Sequence, residues 1–425
     1  MNDLIEESIL VFNTNKKLVS IEGERGLEGL AHPWMIQLSL EESDDKVIYQ
    51  QLVTLHLKGV FQTGDCIIGY KSNGLNNISY FTKMFAGEYK LKAEKEEHGE
   101  KIQTFVKIDP VINANIRKTV PSSSEELEAE LKKNGHVLIR PEKPIEEAII
   151  QDLLIGKGKA MEYNRYGTTS RQKIKNSKAV QVTPWDKELL LPAHNEMTHH
   201  IQFPKNMAFT CIEPCAYGGE TAIYDCAKAF ELLSPSLQEK VVTQNVICRK
   251  RYVEDTADLR YISWKQVLGE GATLQEVMAH FTEMGYQCAH LKEEENGKVI
   301  DVVEIALIRP MVYTYQNKTC LHASMVPLTT FWYWQVWPGK TPPLRVTWDN
   351  DMPLTYEEFY HLDEAILLSR IRYNGWQKHD ILFIDNPRIA HGRLPYIGER
   401  VMSGLMAQPA QFIKSDNDWQ IEVIS

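Results

Sequence analysis

The sequence is short of long apolar runs, of basic charge and of paired cysteines, and each shortage excludes a class of function. No apolar stretch among the 425 residues approaches the roughly 20 needed for a membrane-spanning helix. The N-terminus, MNDLIEESIL, lacks a basic segment followed by an apolar one, so a secretory leader is not expected. Lys and Arg total 47 against 57 Asp and Glu, a formal net charge of −10. A nucleic-acid binder would need a basic footprint, and this balance gives no attraction to anionic lipid either. The 7 cysteines are an odd set without a C-x-x-C pair, which fits a reduced, cytoplasmic protein with free thiols. Cys211 and Cys215 could join a zinc site, but no second pair completes one, so they are expected as core thiols. Internal repeats and low-complexity tracts are absent.

Hydrophobic content of 43% and charged content of 24% are ordinary for a globular protein. The length suggests one large domain with a smaller one, or two domains. Residues 1–116 look β-rich: KVIYQQLVTLHLKGVF and KIQTFVKI mix β-branched and aromatic residues, with turn clusters such as Thr63-Gly64-Asp65 and Ser72-Asn73-Gly74 between segments. The charged run KLKAEKEEHGEK reads as solvated. A boundary near Lys118 separates this region from residues 117–425. Just beyond it, SSSEELEAELKKNG carries a serine cap with glutamates behind it, an apolar pair at Leu127 and Leu131, and a terminating Gly135. HVLIR then starts a strand. A second helix is expected after Pro144, through KAMEY. ELLSPSLQEKVV and LTYEEFYHLDEAILLSRIRYN read as further helices. The aromatic run FWYWQVW at 331–337 reads as core or as pocket lining.

Two segments carry chemistry. In LLLPAHNEMTHH, His194 and Glu196 are two apart, and an extended backbone would put both on one face. Alone, H-x-E is a weak signal. In DILFIDNPRIAHGRLPYIGERVMSGLM, His391 follows an apolar strand and a turn at Asp385-Asn386. Two histidines and one carboxylate, the third arriving from a distant strand, form a facial set suited to Fe(II) that leaves positions open. A third segment, YGGETAIYD, offers a tight turn at Gly218-Gly219 and the Thr221 hydroxyl on a strand after it. Arg400 could join that hydroxyl in holding a carboxylate, because its fork donates two parallel hydrogen bonds. Met402 and Gly404 alternate on the face of Arg400, and Gly404 leaves room for a ligand. A zinc site from His194, His199 and His200 is conceivable, but the spacing is not H-E-x-x-H; one of His199 and His200 is expected as structural and the other beside the ligands or substrate. Asp225 reads as a strand-end or cap residue.

LPAHNEMTH, GGETAIYDCAKAFELL, ISWKQVLG and LFIDNPRIAHGRLPYIGER, in this order, resemble the taurine dioxygenase (TauD/TfdA)-like family of Fe(II)/2-oxoglutarate-dependent oxygenases. Within it they look most like the syringomycin-biosynthesis-type hydroxylases. The resemblance spans residues 117 to about 412. It implies a mostly β fold with flanking helices, a double-stranded β-helix or jelly roll, beside the smaller β-rich N-terminal domain at 1–116. It assigns His194, Glu196 and His391 to iron, and Thr221 and Arg400 to the cosubstrate's distal carboxylate. The cofactors implied are Fe(II), 2-oxoglutarate and O2. The reaction implied converts 2-oxoglutarate to succinate while hydroxylating an unactivated C–H bond of an amino acid or small amine-bearing metabolite, in secondary metabolism. The substrate is free or tethered to a carrier protein, and a homo-oligomer is compatible. Halogenases of this architecture replace the carboxylate with a small residue, so Glu196 favours oxygenation. Arg171, Asn195 and Arg393 are expected substrate contacts, Arg393 with a structural ion pair as its other reading. The competing class is a non-catalytic jelly-roll protein that keeps a metal for structure or sensing.

Overall fold

The computed structural model describes residues 8–12, 18–23, 89–97, 100–107, 112–161, 180–181, 191–215, 217–254, 263–295, 298–328, 343–373, 375–394, 396–415 and 418–424. The segment KVIYQQLVTLHLKGVF, the aromatic run at 331–337 and Arg171 lie outside them. In the N-terminal region, Ser8–Phe12, Leu18–Gly23, Tyr89–Glu97 and Glu100–Lys107 form a four-stranded antiparallel sheet. The charged run at 90–101 is thus largely strand.

Two sheets build the main body. The larger has nine strands and is centred on Gln202–Glu213, which pairs antiparallel with Ile381–Asp385 on one side and Val401–Ser415 on the other. The smaller runs Ile112–Asn113, Arg370–Arg372, Ile223–Asp225, Ile389–Arg393, Leu191–His194. Side-chain alternation sorts the larger sheet's residues between its faces. Leu138, Met207, Phe209, Leu382, Ile384, Met402 and Met406 pack inward with Ile223, Ile371 and Ile389 of the smaller sheet. Their neighbours Val137, Ala208, Ile381, Phe383, Leu405 and Ala407 point outward and are covered by two helices through Leu127, Leu131, Ile150, Leu153 and Leu154. Burying each of those leucines contributes roughly 2 kcal/mol. Two sheets facing across a shared apolar layer, with helices outside, are the layering of a jelly-roll-like fold.

The helix Ser124–Asn134 forms as its sequence directs. The Ser123 side chain accepts from the Glu126 N–H, and Gly135 closes the helix at φ 76°. The Glu126 carboxylate accepts from Ser122 rather than from the cap's own N–H. Other helices are shorter than expected. The second spans only Glu147–Ile155 and stops at Gly156, φ 53°. ELLSPSLQEKVV divides at Ser234, which caps a new helix Pro235–Thr243 with proline in its first turn. Helix Tyr356–Leu368 ends before Arg370, and Arg370–Arg372 is a strand of the smaller sheet.

Between Ile223–Asp225 and Arg370–Arg372 the chain inserts a four-stranded sheet of Asn245–Val253, Gln287–Glu295, Lys298–Pro310 and Leu344–Trp348. Its own core joins Tyr252, Val303 and Ile305 to Trp264, Val267, Val277 and Phe281 of two helices. ISWKQVLG forms the first of these, Trp264–Leu268, capped by Ser263 and Gln266. Ahead of the larger sheet, Ile112–Asn113 and Ile116–Arg117 already pair with Ile371–Arg372 and Leu138–Ile139. No helix among the described residues is long and apolar enough to cross a membrane.

Candidate active site

Strand register in the smaller sheet brings the two histidines together. His391 sits directly opposite His194 on one side and Ile223 on the other. Gly392, next to His391, donates its N–H to the Ala222 carbonyl at 2.8 Å. A Cβ at Gly392 would lie 2.4 Å from the Leu191 carbonyl oxygen, so only glycine lets the two strands close at this point. The imidazole centroids of His194 and His391 are 4.4 Å apart, and Phe209 of the larger sheet packs on His391 at 5.0 Å.

Glu196 arrives differently from the sequence expectation. The strand ends at His194, and Glu196 lies in a tight turn in which Met197 takes φ 59°. The turn, not an extended i, i+2 repeat, returns the carboxylate to the histidines. Glu196 Oε2 lies 3.6 Å from His391 Nε2 and 3.9 Å from His194 Nε2. The ligand atoms of His194, Glu196 and His391 all fall within 4.8 Å of one another. Those gaps are long for hydrogen bonds and match atoms about 2.0–2.2 Å from a shared ion. His194 Nδ1 lies 2.8 Å from the Pro192 carbonyl. A carbonyl only accepts, so Nδ1 holds the proton and Nε2 presents its lone pair inward. Two imidazoles and a carboxylate fit a hard-to-borderline divalent ion such as Fe(II).

Arg400 and Thr221 also meet. Arg400 donates from Nε to the Gly219 carbonyl at 2.8 Å and from Nη2 to Thr221 Oγ1 at 3.3 Å. These bonds use two of the five guanidinium donors. Burial lowers the Arg400 pKa from its ordinary value, with Tyr373 and Cys215 acting the other way, and an arginine stays cationic at neutral pH even so. Gly219 has φ 72°, and a Cβ there would come within 2.6 Å of Cys215 Sγ and 3.0 Å of Arg400 Cδ. Thr221 precedes, rather than occupies, the strand Ile223–Asp225, and the Tyr373 hydroxyl donates to its carbonyl at 3.0 Å. Since Ala222 bonds to Gly392, the Arg400–Thr221 pair is tied by one residue to the backbone beside His391.

The remaining expectations divide. Asn195 is turned into the protein: it is 1% exposed, and its amide donates to the Asn386 carbonyl at 2.7 Å. That use replaces the substrate contact expected of it. Arg393 is buried, with its guanidinium over the Tyr396 ring at 4.9 Å, and Arg400 flanks the same ring at 5.9 Å. Asp225 caps the helix Cys226–Glu231, accepting from Ala227 and Lys228, and pairs with Arg388. Cys211 and Cys215 are free thiols whose pKa values burial raises, that of Cys211 to about 12; neither is a ready thiolate ligand. The His199 and His200 rings lie 4.2 Å apart, tilted by 46°, and neither belongs to the ligand group found among the described residues. His200 Nδ1 lies 3.1 Å from the Tyr286 hydroxyl.

Sequence reasoning missed Asn386. Its sequence position marks only the turn before His391, yet its side chain clamps Glu196. Asn386 Oδ1 accepts from the Glu196 N–H at 2.6 Å, and Nδ2 donates to the carbonyls of Glu196 at 3.1 Å and Pro204 at 2.8 Å. Lys250 was missed too, although a lysine at an inward position of the alternating NVICRKRYV is a legible signal. Burial pushes it down to about 7, and its charge is felt at His199 together with those of Glu196 and His194.

A family model described as taurine catabolism dioxygenase TauD, TfdA family matches residues 101–406. Among solved structures, a putative alpha-ketoglutarate-dependent taurine dioxygenase from Burkholderia xenovorans is similar at 14% identity and TM-score 0.42, over 74% of this chain and 97% of that one. AAD-2 in complex with Mn(II) and N-oxalylglycine is similar at 11% identity and TM-score 0.40, over 74% and 96%. PvcB, an Fe, alpha-ketoglutarate dependent oxygenase from an isonitrile synthetic pathway, is similar at 12% identity and TM-score 0.38, over 69% and 82%. No curated protein matches the sequence. With the family model covering most of its length and a two-histidine, one-glutamate metal site on its smaller sheet, the chain belongs to the TauD, TfdA family of dioxygenases, with Fe(II) and 2-oxoglutarate as cofactor and cosubstrate.

Proposed function

We propose that His194, Glu196 and His391 hold Fe(II), that Arg400 and Thr221 hold the distal carboxylate of 2-oxoglutarate, and that the enzyme hydroxylates an unactivated C–H bond. The pairing of Arg400 with Thr221 beside the strand that carries His391 supports this reading most. A metal kept for structure or sensing has no use for a half-buried guanidinium paired with a hydroxyl beside it. When bound, iron with 2-oxoglutarate and O2 supplies the oxidant for the C–H bond, and 2-oxoglutarate leaves as succinate and CO2. The chain's residues orient the partners. The Pro192 carbonyl fixes the His194 tautomer, Asn386 fixes the Glu196 backbone, and the Gly219 carbonyl aims the Arg400 fork. Phe209 packs on the His391 ring and steadies it from the larger sheet.

The substrate class proposed is an amino acid or small amine-bearing metabolite of secondary metabolism, as in syringomycin-type hydroxylases, either free or carried on a protein thioester. Arg393, beside Tyr396, is the proposed substrate contact, and Arg171 is a second. Residues 1–116 are proposed as a separate domain that docks a carrier protein or a second copy of the chain. The test is succinate formation from 2-oxoglutarate by the Fe(II)-reconstituted enzyme, alone and with a panel of free and carrier-bound amino acids. Turnover that disappears in Glu196→Ala supports the enzyme. Metal binding with neither 2-oxoglutarate binding nor turnover selects the non-catalytic alternative. A chain starting near Lys118 that keeps turnover on free substrate and loses it on tethered substrate assigns the N-terminal region to docking.

A further inference from the structure

The turn that presents Glu196 is held by side chains from a remote part of the chain. Met197, at its centre, takes φ 59° although it is not glycine, and its side chain is anchored in the core between the sheets. A left-handed residue of this kind is strained and persists only where its surroundings over-determine it. Those surroundings are a buried polar cluster. Ser324 accepts from the Asn195 N–H and donates to the Asn195 carbonyl, both at 2.8 Å. The Thr198 hydroxyl lies 2.9 Å from Ser324 Oγ and 2.8 Å from His322 Nε2. His322 Nδ1 faces the Pro310 carbonyl at 2.9 Å. A carbonyl only accepts, so the proton sits on Nδ1 and Nε2 accepts from Thr198. His322 and Thr198 are both 0% exposed.

A buried polar cluster is costly compared with an apolar one of the same shape. Every bond in this one ends on the Asn195–Thr198 turn or on the residue that fixes its orientation. Glu196 lies inside that turn, and Asn386 grips its backbone from the other side. From this we infer that Thr198, His322 and Ser324 are positioning residues for the metal ligand Glu196: they hold the strained turn so that its carboxylate faces His194 and His391. The inference rests on the reading of His194, Glu196 and His391 as the iron site. His322 caps the short helix Ala323–Met325 and Ser324 lies within it, just after the strand Lys318–Leu321 at the edge of the larger sheet. The segment that follows the larger sheet's edge strand therefore sets the metal site's geometry, though it contributes no ligand.

The experiment uses the full chain and Mn(II) as probe, with the dissociation constant read by electron paramagnetic resonance and the ligand field read from the visible spectrum of the Co(II) form. Thr198→Val keeps the shape and removes the hydroxyl, Thr198→Ser keeps the hydroxyl, and Ser324→Ala removes the second anchor. Loss of an outer partner of this kind weakens metal binding by about 10–100-fold. Thr198→Val and Ser324→Ala are expected to show that loss and an altered Co(II) spectrum, and Thr198→Ser to restore both to within about 3-fold of the parent. If Thr198→Val does not fold, Ser324→Ala decides. Parent-like affinity and an unchanged spectrum in the folded variants overturn the inference. A parent that binds Mn(II) no better than His391→Ala overturns the iron-site reading itself, and the inference with it.

Discussion

Replacing Gly392 with alanine strains the metal site at a defined place. The new Cβ would meet the Leu191 carbonyl oxygen at 2.4 Å and the Pro192 carbonyl carbon and oxygen at 3.2 Å, all of them backbone atoms. Ordinary contact starts at 3.4 Å, and a close-packed sheet has no slack, so the strands must part by roughly 1 Å. The strand that moves carries His194, directly opposite His391, and the register already shifts between His391 and Arg393. Metal–ligand distances tolerate about ±0.2 Å, and a misplacement of about 1 Å costs on the order of 100-fold in rate. Gly392→Ala is therefore expected to lower both Mn(II) affinity and succinate formation about 100-fold, equivalent to about 2.7 kcal/mol. Equilibrium Mn(II) titration and a succinate assay read the two effects, with near-ultraviolet circular dichroism confirming the fold. A folded Gly392→Ala protein within about 3-fold of the parent in both would refute the claim that this close approach sets the ligand spacing.

Arg400→Lys keeps the charge but not the fork, so it is expected to raise the KM for 2-oxoglutarate about 10-fold or more while leaving the Mn(II) affinity of the cosubstrate-free protein near that of the parent. Equal losses in both would count against the assigned role. Asn386→Ala strips the Glu196 N–H and two carbonyls of their partner, at an expected cost of about 2–4 kcal/mol in chemical denaturation; a smaller change than about 1 kcal/mol would show that the clamp is dispensable. Burial raises Asp385 from 3.8 to about 7, against Tyr315 and Gln316, which donate to it. The folded chain thus keeps a proton that the unfolded chain releases. Asp385's contribution is fully present below the unfolded pKa of 3.8 and is lost as pH rises through about 7. Asp385→Asn should flatten that fall in urea titrations across the window, and an unchanged slope would count against it.

Helix boundaries were legible where their signals are local. The Ser123 cap, the Leu127–Leu131 stripe and Gly135 lie within one helix, and the cap role of Asp225 follows from its place before Cys226–Glu231. That His194, Glu196 and His391 would meet, and Arg400 with Thr221, could be read because their residue types are unusual for a core and the motif order agreed with a family. What supports them was not legible. Asn386 reaches Glu196 across 190 positions and His322 reaches Thr198 across 124, and only strand order brings them together. Alternation predicts which face a residue takes, not what faces it. The expectation that His194 and Glu196 share an extended strand was incorrect for a related reason. Two-residue spacing fits a strand, but the buried partners of Asn195 and Thr198 hold the backbone in a turn instead. The inserted sheet at 245–348 has ordinary strand patterning, and nothing in its sequence marks it as an interruption of the smaller sheet.

The central claim is best tested by a crystal structure of the chain grown with Mn(II) and N-oxalylglycine, which stand in for iron and 2-oxoglutarate. The account predicts one ion about 2.0–2.2 Å from His194 Nε2, Glu196 and His391 Nε2, with the distal carboxylate of N-oxalylglycine on the Arg400 fork and the Thr221 hydroxyl. An ion held by His199 and His200, or a carboxylate bound away from Arg400, would contradict it.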